Sequence, residues 1–254
     1  MQTAERQPAK LSIAAASLSD VSKLYGNFAA LRKVSVEFAQ GSSTMIVGDN
    51  GAGKSTLLRL LAGLISPSRG VVEVFSEEPR RHRRRVAYMS HEAMLYDELS
   101  AMENLKYFAS LHLQRGFVCS CAASPEMALR AVGLDPTLTR SVGQYSQGMR
   151  QRASLARVLQ ADPELLLLDE PFSNLDVASA RHMVELLLDF RTWPVERPAP
   201  RNAPVAEPAA PTDRRRTIIL TTHQAHLAES LVDRTLTMRA GAIVSSSDAQ
   251  PPEN

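Results

Sequence analysis

Apolar and polar residues alternate in Lys33-Val34-Ser35-Val36-Glu37-Phe38, the period of a half-buried strand. The pattern is strand-like from Leu11 to Phe38, with a turn at Tyr25-Gly26-Asn27 between two strands. Ser43-Thr44-Met45-Ile46-Val47 is apolar and partly β-branched, as a buried strand should be. The period then changes. Leu57-Leu58-Arg59-Leu60-Leu61-Ala62 places apolar residues at i, i+3 and i+4 and predicts a helix. Ser66 to Gly70 reads as a turn, Val71–Phe75 and Val86–Met89 as short strands, and His91 to Ser100 as a loop. Helices are expected over Ala101–Leu113, Pro125–Val132 and Gln147–Gln160. The second has Ser124 as N-cap, Pro125 in its first turn and Gly133 as its stop. Leu165-Leu166-Leu167-Leu168 is too short and too apolar for a surface element. Bounded by Pro163 and by Asp169-Glu170-Pro171, it predicts a central parallel strand. A helix over Val177–Arg191, a buried strand over Arg216–Thr221, a helix after His223 and a hairpin through Gly241 ending near Ser246 complete the pattern.

Two stretches lack it. Residues 1–10 read as a disordered tail, and Pro194 to Pro211 is rich in Pro and Ala with hardly any large apolar residue. Such a composition cannot build a core, so a flexible insertion over about 194–214 is expected. With 254 residues, 44% hydrophobic and 22% charged, the chain has the composition of a soluble globular protein of one or two domains. A net charge of +2 argues neither for nor against nucleic acid as a partner. The run Arg80-Arg81-His82-Arg83-Arg84-Arg85 has no interleaved aromatic residues and reads as a solvated loop. No apolar run approaches the ~18 residues of a membrane-spanning helix, and the start is a poor signal peptide. Cys119 and Cys121, the only cysteines, read as thiols in a reducing cytosol.

Between the Ser43–Val47 strand and its helix lies Gly48-Asp49-Asn50-Gly51-Ala52-Gly53-Lys54-Ser55-Thr56, which fits G-x-x-x-x-G-K-[ST]. Glycines allow such a loop to curl so that successive N–H groups point inward, and the following helix adds the positive end of its dipole. Lys54 would reach β- and γ-phosphate oxygens, and the Ser55 hydroxyl would ligate Mg²⁺. A nucleoside triphosphate site also needs a carboxylate for Mg²⁺ at the end of an apolar strand beside the loop's own strand. Asp169 supplies it. Glu170, the next residue, could accept a proton from an attacking water or hold that water in line.

With these residues in place, the chain resembles the ATP-binding subunits of ABC transporters over roughly residues 17 to 245. Tyr25 stands where the family has an aromatic that stacks on adenine. Gly48, Asn50, Gly51, Ala52, Gly53, Lys54, Ser55 and Thr56 are its phosphate loop. Tyr145-Ser146-Gln147-Gly148-Met149-Arg150-Gln151-Arg152 resembles the family signature in the Y-S-x-G-M form of export systems. Leu165–Glu170 matches the magnesium strand, Ser173-Asn174-Leu175-Asp176 the loop after it, and His223 the switch histidine. Two residues depart from the pattern. His91 occupies the position of the usual Gln, where an imidazole could still meet an attacking or metal-bound water, and Gln147 replaces the first signature glycine.

The resemblance implies an α/β fold: a P-loop NTPase (RecA-like) core with a mostly parallel sheet, an antiparallel β-subdomain and an inserted α-helical subdomain. It would occupy residues 11–250, with the helical part at about 91–161. It implies ATP and Mg²⁺, with Ser55 and Asp169 on the metal and Glu170, His223 and His91 in the catalytic set. The nucleotide would be held in cis by Tyr25 and the phosphate loop, and in trans by Ser146, Gly148 and Asp176 of a second copy. It further implies a homodimer or paired ABC subunit docked on an integral membrane permease, at the cytoplasmic face of the inner membrane, driving export. The stretch Tyr88 to Leu105 resembles the haem-exporter subunit of cytochrome c maturation, including the histidine at the glutamine position. An exporter of drugs, lipids or polysaccharide with the same signature stands beside it. A non-transport ABC ATPase acting on ribosomes or DNA usually has two ATPase domains or a long coiled coil, and neither is here. A bare nucleotide-dependent regulator is the third class, set apart by a lack of steady ATP turnover.

Overall fold

The computed structural model describes residues 14–114, 124–173, 175–192 and 216–248. The expected tail at 1–10, residues 11–13 of the first strand, Cys119, Cys121, Asn174 and the insertion at 194–214 lie outside the described residues.

Two sheets share the chain. The smaller is antiparallel, in the order β2 (Phe28–Ala39), β1 (Ala14–Tyr25), β4 (Arg69–Val74). The larger runs β5 (Val86–Met89), β6 (Leu165–Asp169), β7 (Thr217–Thr221), β3 (Ser43–Val47), β8 (Arg234–Arg239), β9 (Ala242–Asp248). All its pairings are parallel except the β8–β9 hairpin. The four leucines of β6 are fully buried because the strand is covered on both faces, and they serve the two sides in turn. Leu166 and Leu168 enter a core shared with the helices, while Leu165 and Leu167 enter a core shared with the antiparallel sheet. Ile218 and Leu220 of β7 join the first core and Ile219 the second. Each such side chain contributes roughly 1.5–3 kcal/mol of burial, so the strand interior tolerates no polar residue.

Between β5 and β6 the chain makes α2 (Ala101–Gln114), α3 (Pro125–Ala131) and α4 (Gln147–Leu159), which pack on one another. Their starts follow capping chemistry. Ser100 and Glu103 form a reciprocal capping box, with the Ser100 N–H donating to Glu103 Oε2 at 2.8 Å and the Glu103 N–H to Ser100 Oγ at 3.2 Å. Ser124 and Ser146 accept from the N–H groups of Met127 and Met149 at 3.2 and 3.3 Å. The remaining helices are α1 (Lys54–Leu61), α5 (Val177–Thr192) and the short α6 (Ala225–Ala228).

Two sequence expectations are corrected. The basic run is not simply a solvated loop. Pro79–His82 forms a 3-10 turn, and Arg85 makes a two-pronged ion pair with Glu164 at 2.6 and 2.8 Å while lying 3.6 Å above the Phe75 ring. A guanidinium on an aromatic face with a buried carboxylate ahead of it is a packed group. Nor is the Asp169 strand beside the loop's own strand, because β7 stands between β6 and β3. Helix α1 packs across both β7 and β6, and this carries the first residues of α1 to Asp169.

Where chain leaves and re-enters this core, its two ends meet. The N–H of Arg216 donates to the carbonyl of Arg191 at 3.1 Å. Arg216 is buried, donates to Pro163 O at 2.8 Å and lies 4.6 Å from the Phe190 ring centre.

Candidate active site

In a parallel sheet every strand ends on the same edge, and there the candidate residues collect. β3 delivers the glycine loop, β6 delivers Asp169 and Glu170, and β7 leads directly into His223. They line one cavity of about 1060 Å³ together with Tyr25, His91 and the whole of Gly48–Thr56.

The loop glycines divide by what surrounds them. A Cβ on Gly48 would stand 2.2 Å from the carbonyl oxygen of Met238, and one on Gly53 would stand 2.5 Å from that of Ala30. Both have φ above +100°, so backbone shape and close approach alike require glycine. Gly51, at φ +81°, faces open space. It leaves the loop tip free of side chain where a ligand would sit. Lys54 is 6% exposed, yet its ammonium meets only loop carbonyls among the described residues, Gly48 O at 2.6 Å and Asp49 O at 3.2 Å. A buried cation without a counter-charge, beside the first-turn N–H groups of Lys54, Ser55 and Thr56, suits a polyphosphate.

Asp169 is 2% exposed and fully engaged. Its Oδ1 accepts from Ser55 Oγ at 3.0 Å and Thr221 Oγ1 at 2.8 Å, and its Oδ2 accepts from the Tyr88 hydroxyl at 3.1 Å. Burial, and then the charge on Asp169, push the Tyr88 phenol above its usual pKa, so it remains a donor. The Arg59 guanidinium, hydrogen-bonded to Tyr88, is raised above its ordinary value by that bond. One hydroxyl and one carboxylate fit Mg²⁺, which takes most of its ligands from phosphate and water. No group of three or more His, Cys, Asp or Glu side chains suited to a metal occurs among the described residues.

Glu170 follows in a left-handed conformation, φ +53°, at the turn out of β6. Its N–H donates to both the carbonyl and the Oγ1 of Thr221 at 3.1 Å. Its carboxylate accepts from the His223 backbone N–H at 3.2 Å and lies 2.8 Å from the imidazole Nδ1. A carboxylate and an imidazole bonded to each other at the mouth of a phosphate-suited cavity can take up and hold a proton from water.

Tyr25 and Phe28 face each other across the β1–β2 turn, both line the cavity, and both are largely exposed, at 47% and 60%. Ser146, Gly148 and Asp176 are not among the cavity's lining residues. They form a second locus at the starts of α4 and α5. Leu175 reaches within 3.4 Å of the Cβ position of Gly148, and Asp176 accepts from the Ser179 N–H at 2.8 Å. Sequence reasoning missed Phe28, Arg59, Tyr88, Gln151 and Thr221. Of these only Phe28 leaves a signal, an aromatic directly across the turn from Tyr25.

A family model described as "ABC transporter" matches residues 31–173, more than half of the chain. The chain belongs to the ABC transporter ATPase family. A model described as an AAA domain, putative AbiEii toxin, also matches, over residues 124–229. Among curated relatives, ABC transporter ATP-binding protein NatA of Bacillus subtilis (strain 168) is 30% identical over 221 residues, covering 85% of this chain and 80% of that one. Fluoroquinolones export ATP-binding protein MT2762 of Mycobacterium tuberculosis (strain CDC 1551 / Oshkosh) is 34% identical over 219 residues, and there the chain spans 64% of the relative's length. Sulfate/thiosulfate import ATP-binding protein CysA of Nocardia farcinica (strain IFM 10152) is 34% identical over 180 residues, or 70% of this chain and 52% of that protein. The fold matches a dimeric post-hydrolysis state of the ATP-binding cassette MJ0796 bound to ADP and Pi, with TM-score 0.75, 22% identity and coverage of 93% and 99%. This ABC ATPase is thus the ATP-binding, ATP-hydrolysing subunit of a transporter, and it uses Mg²⁺ with ATP. Cassettes of the family dimerise and work with membrane permease subunits. Among the described residues no helix is long and apolar enough to cross a membrane.

Proposed function

We propose that this subunit pairs head to tail with a second copy, encloses two ATP molecules, and powers export through a permease from the cytoplasmic face of the inner membrane. The observation that carries the pairing is the division of the site. Tyr25, the phosphate loop, Asp169, Glu170, His91 and His223 share one cavity, while Ser146, Gly148 and Asp176 stand apart from it. A second copy supplies what the first lacks, with α4 presenting its N-terminal N–H groups to the far end of the substrate.

In this reading Tyr25 stacks on the base, the loop N–H groups and Lys54 hold the phosphates, and Ser55 and Asp169 hold Mg²⁺. Bound there, the ion would supply positive charge to offset that of the phosphates. Glu170 takes the proton of the attacking water, and His223, already bonded to Glu170, contacts the terminal phosphate. His91 lines the same cavity and contacts the attacking water. Loss of the bridging phosphate separates the copies, and the loop from His91 to Ser100 passes that motion to the permease. On the same reading the ATPase unit spans residues 11–250, with its helical part at about 91–161.

Export is supported by the Y-S-x-G-M signature at Tyr145–Met149 and by the export relative, which matches 85% of this chain against 70% for the CysA importer. Haem as cargo is supported by the Tyr88–Leu105 resemblance. A drug exporter is the second reading, favoured by the name of that same relative. The pairing is tested with Glu170→Gln. It should retain ATP, lose about 10²-fold or more of turnover, and run as a dimer by light scattering with Mg²⁺ and ATP. Undiminished turnover, or a monomer at saturating ATP, would overturn the assignment. The co-purifying permease, and stimulation of ATPase in its complex by haem or by a fluoroquinolone, decides between the cargoes.

A further inference from the structure

Helix α4 faces two ways. Ser146 and Gly148 at its start belong to the locus set apart from the cavity, whereas Gln151, one turn later, points inward and is 6% exposed. Its amide Nε2 donates to Pro171 O at 3.1 Å and to Glu170 O at 3.3 Å. A side chain of the helical layer thereby grips the peptide that carries the proposed base.

That peptide needs gripping. A non-glycine residue at φ +53° persists only where its surroundings over-determine it. Three side chains restrain the backbone of Glu170. Thr221 of β7 takes its N–H at 3.1 Å. Ser173, within the same turn, donates its hydroxyl to the Glu170 carbonyl at 2.8 Å. Gln151 supplies the third, and it comes from a different layer of the molecule. The first two fix Glu170 relative to the sheet, and the third fixes it relative to the helix whose N-terminus, in the proposed pairing, receives the partner's ATP.

We infer that Gln151 is a positioning residue that links the two nucleotide sites: seating of one ATP on the start of α4 sets the aim of Glu170 at the other. The inference rests on the proposed pairing. It requires no contact between Gln151 and either nucleotide. Its effect falls on the chemical step, where a misplacement of about 1 Å costs on the order of 10²-fold.

The test uses the full chain with Mg²⁺ and ATP and two variants. Gln151→Leu removes the donor at similar size, and Gln151→Glu keeps the shape but sets an acceptor against two carbonyls. The wild type should hydrolyse ATP with a Hill coefficient above 1; both variants should lower kcat by about tenfold or more, leave KM for ATP within about twofold, and bring that coefficient down toward 1. In the Glu170→Gln background both should still form the ATP-dependent dimer. Unchanged kcat in either variant overturns the inference. So does a joint loss of kcat and of dimerisation, which would mark Gln151 as a mere support of α4. A wild-type chain that never pairs overturns the functional reading itself, whereas a pairing wild type with unaffected variants overturns this inference alone.

Discussion

Replacing Tyr88 by Phe removes one oxygen and nothing else, and that oxygen holds Asp169. The hydroxyl donates to Oδ2 at 3.1 Å, and the carboxylate it serves is 2% exposed. The ring is retained, so packing is unchanged; the main loss is the hydrogen bond to a buried charge, about 1.5–3 kcal/mol, alongside the hydroxyl's bond with Arg59. For a chain of this size, with about 2–4 °C per kcal/mol, the melting temperature should fall by roughly 3–12 °C. Function should suffer separately. If Asp169 holds Mg²⁺, Tyr88 orients a metal ligand from behind, and losing such a partner weakens metal binding or activity by about 10–100-fold. The assay is ATPase rate against Mg²⁺ at saturating ATP, with a fluorescent nucleotide analogue titrated in EDTA as control. The midpoint for Mg²⁺ should rise at least about tenfold, while metal-free nucleotide binding stays as in the wild type. A lower melting temperature with an unmoved Mg²⁺ midpoint would refute the orienting role, and no change in either would refute the hydrogen bond's importance altogether.

His91→Gln should keep ATPase activity within about threefold, because both side chains can accept from a cavity water; complete inactivation, measured by phosphate release, would show that the imidazole does something an amide cannot. Gly53→Ala and Gly51→Ala should separate folding from binding. The first forces a methyl to 2.5 Å from the Ala30 carbonyl and should cost several kcal/mol, about 3 or more, in a denaturant melt. The second meets no atom within 4 Å and pays only for its positive φ, about 1–2 kcal/mol, but crowds the loop tip and should weaken ATP binding. Equal stability of the two variants would contradict this division.

Much of the architecture was legible because the period of the apolar residues is a local property. The four leucines of β6 and the capping serines Ser124 and Ser146 mark elements that form as expected, to within a residue or two. The gathering of Lys54, Ser55, Asp169, Glu170 and His223 at one edge was legible as well, since parallel strands must deliver their carboxyl ends together. The order of strands was not. Nothing in the sequence between Leu165 and Thr221 says that β7 inserts between β6 and β3, because neighbours in a sheet are chosen by long-range packing. The supports of the site were hidden for the same reason. Tyr88 and Thr221 reach Asp169 from 81 and 52 residues away, and Gln151 grips a turn 20 residues on. Arg85 looked like one cation in a row of five until its partner Glu164, 79 residues away, set it apart.

Arg191 and Arg216 touch through their backbones, so whatever joins them departs and arrives at a single doorway. A segment tethered in this way can be lengthened, trimmed or exchanged for an unrelated module without altering the distance that the core must span. The doorway stands at the amino end of β7, the strand whose opposite end carries Thr221 and leads to His223. A reporter or an affinity handle grafted there would join the chain at the end of β7 opposite the chemistry.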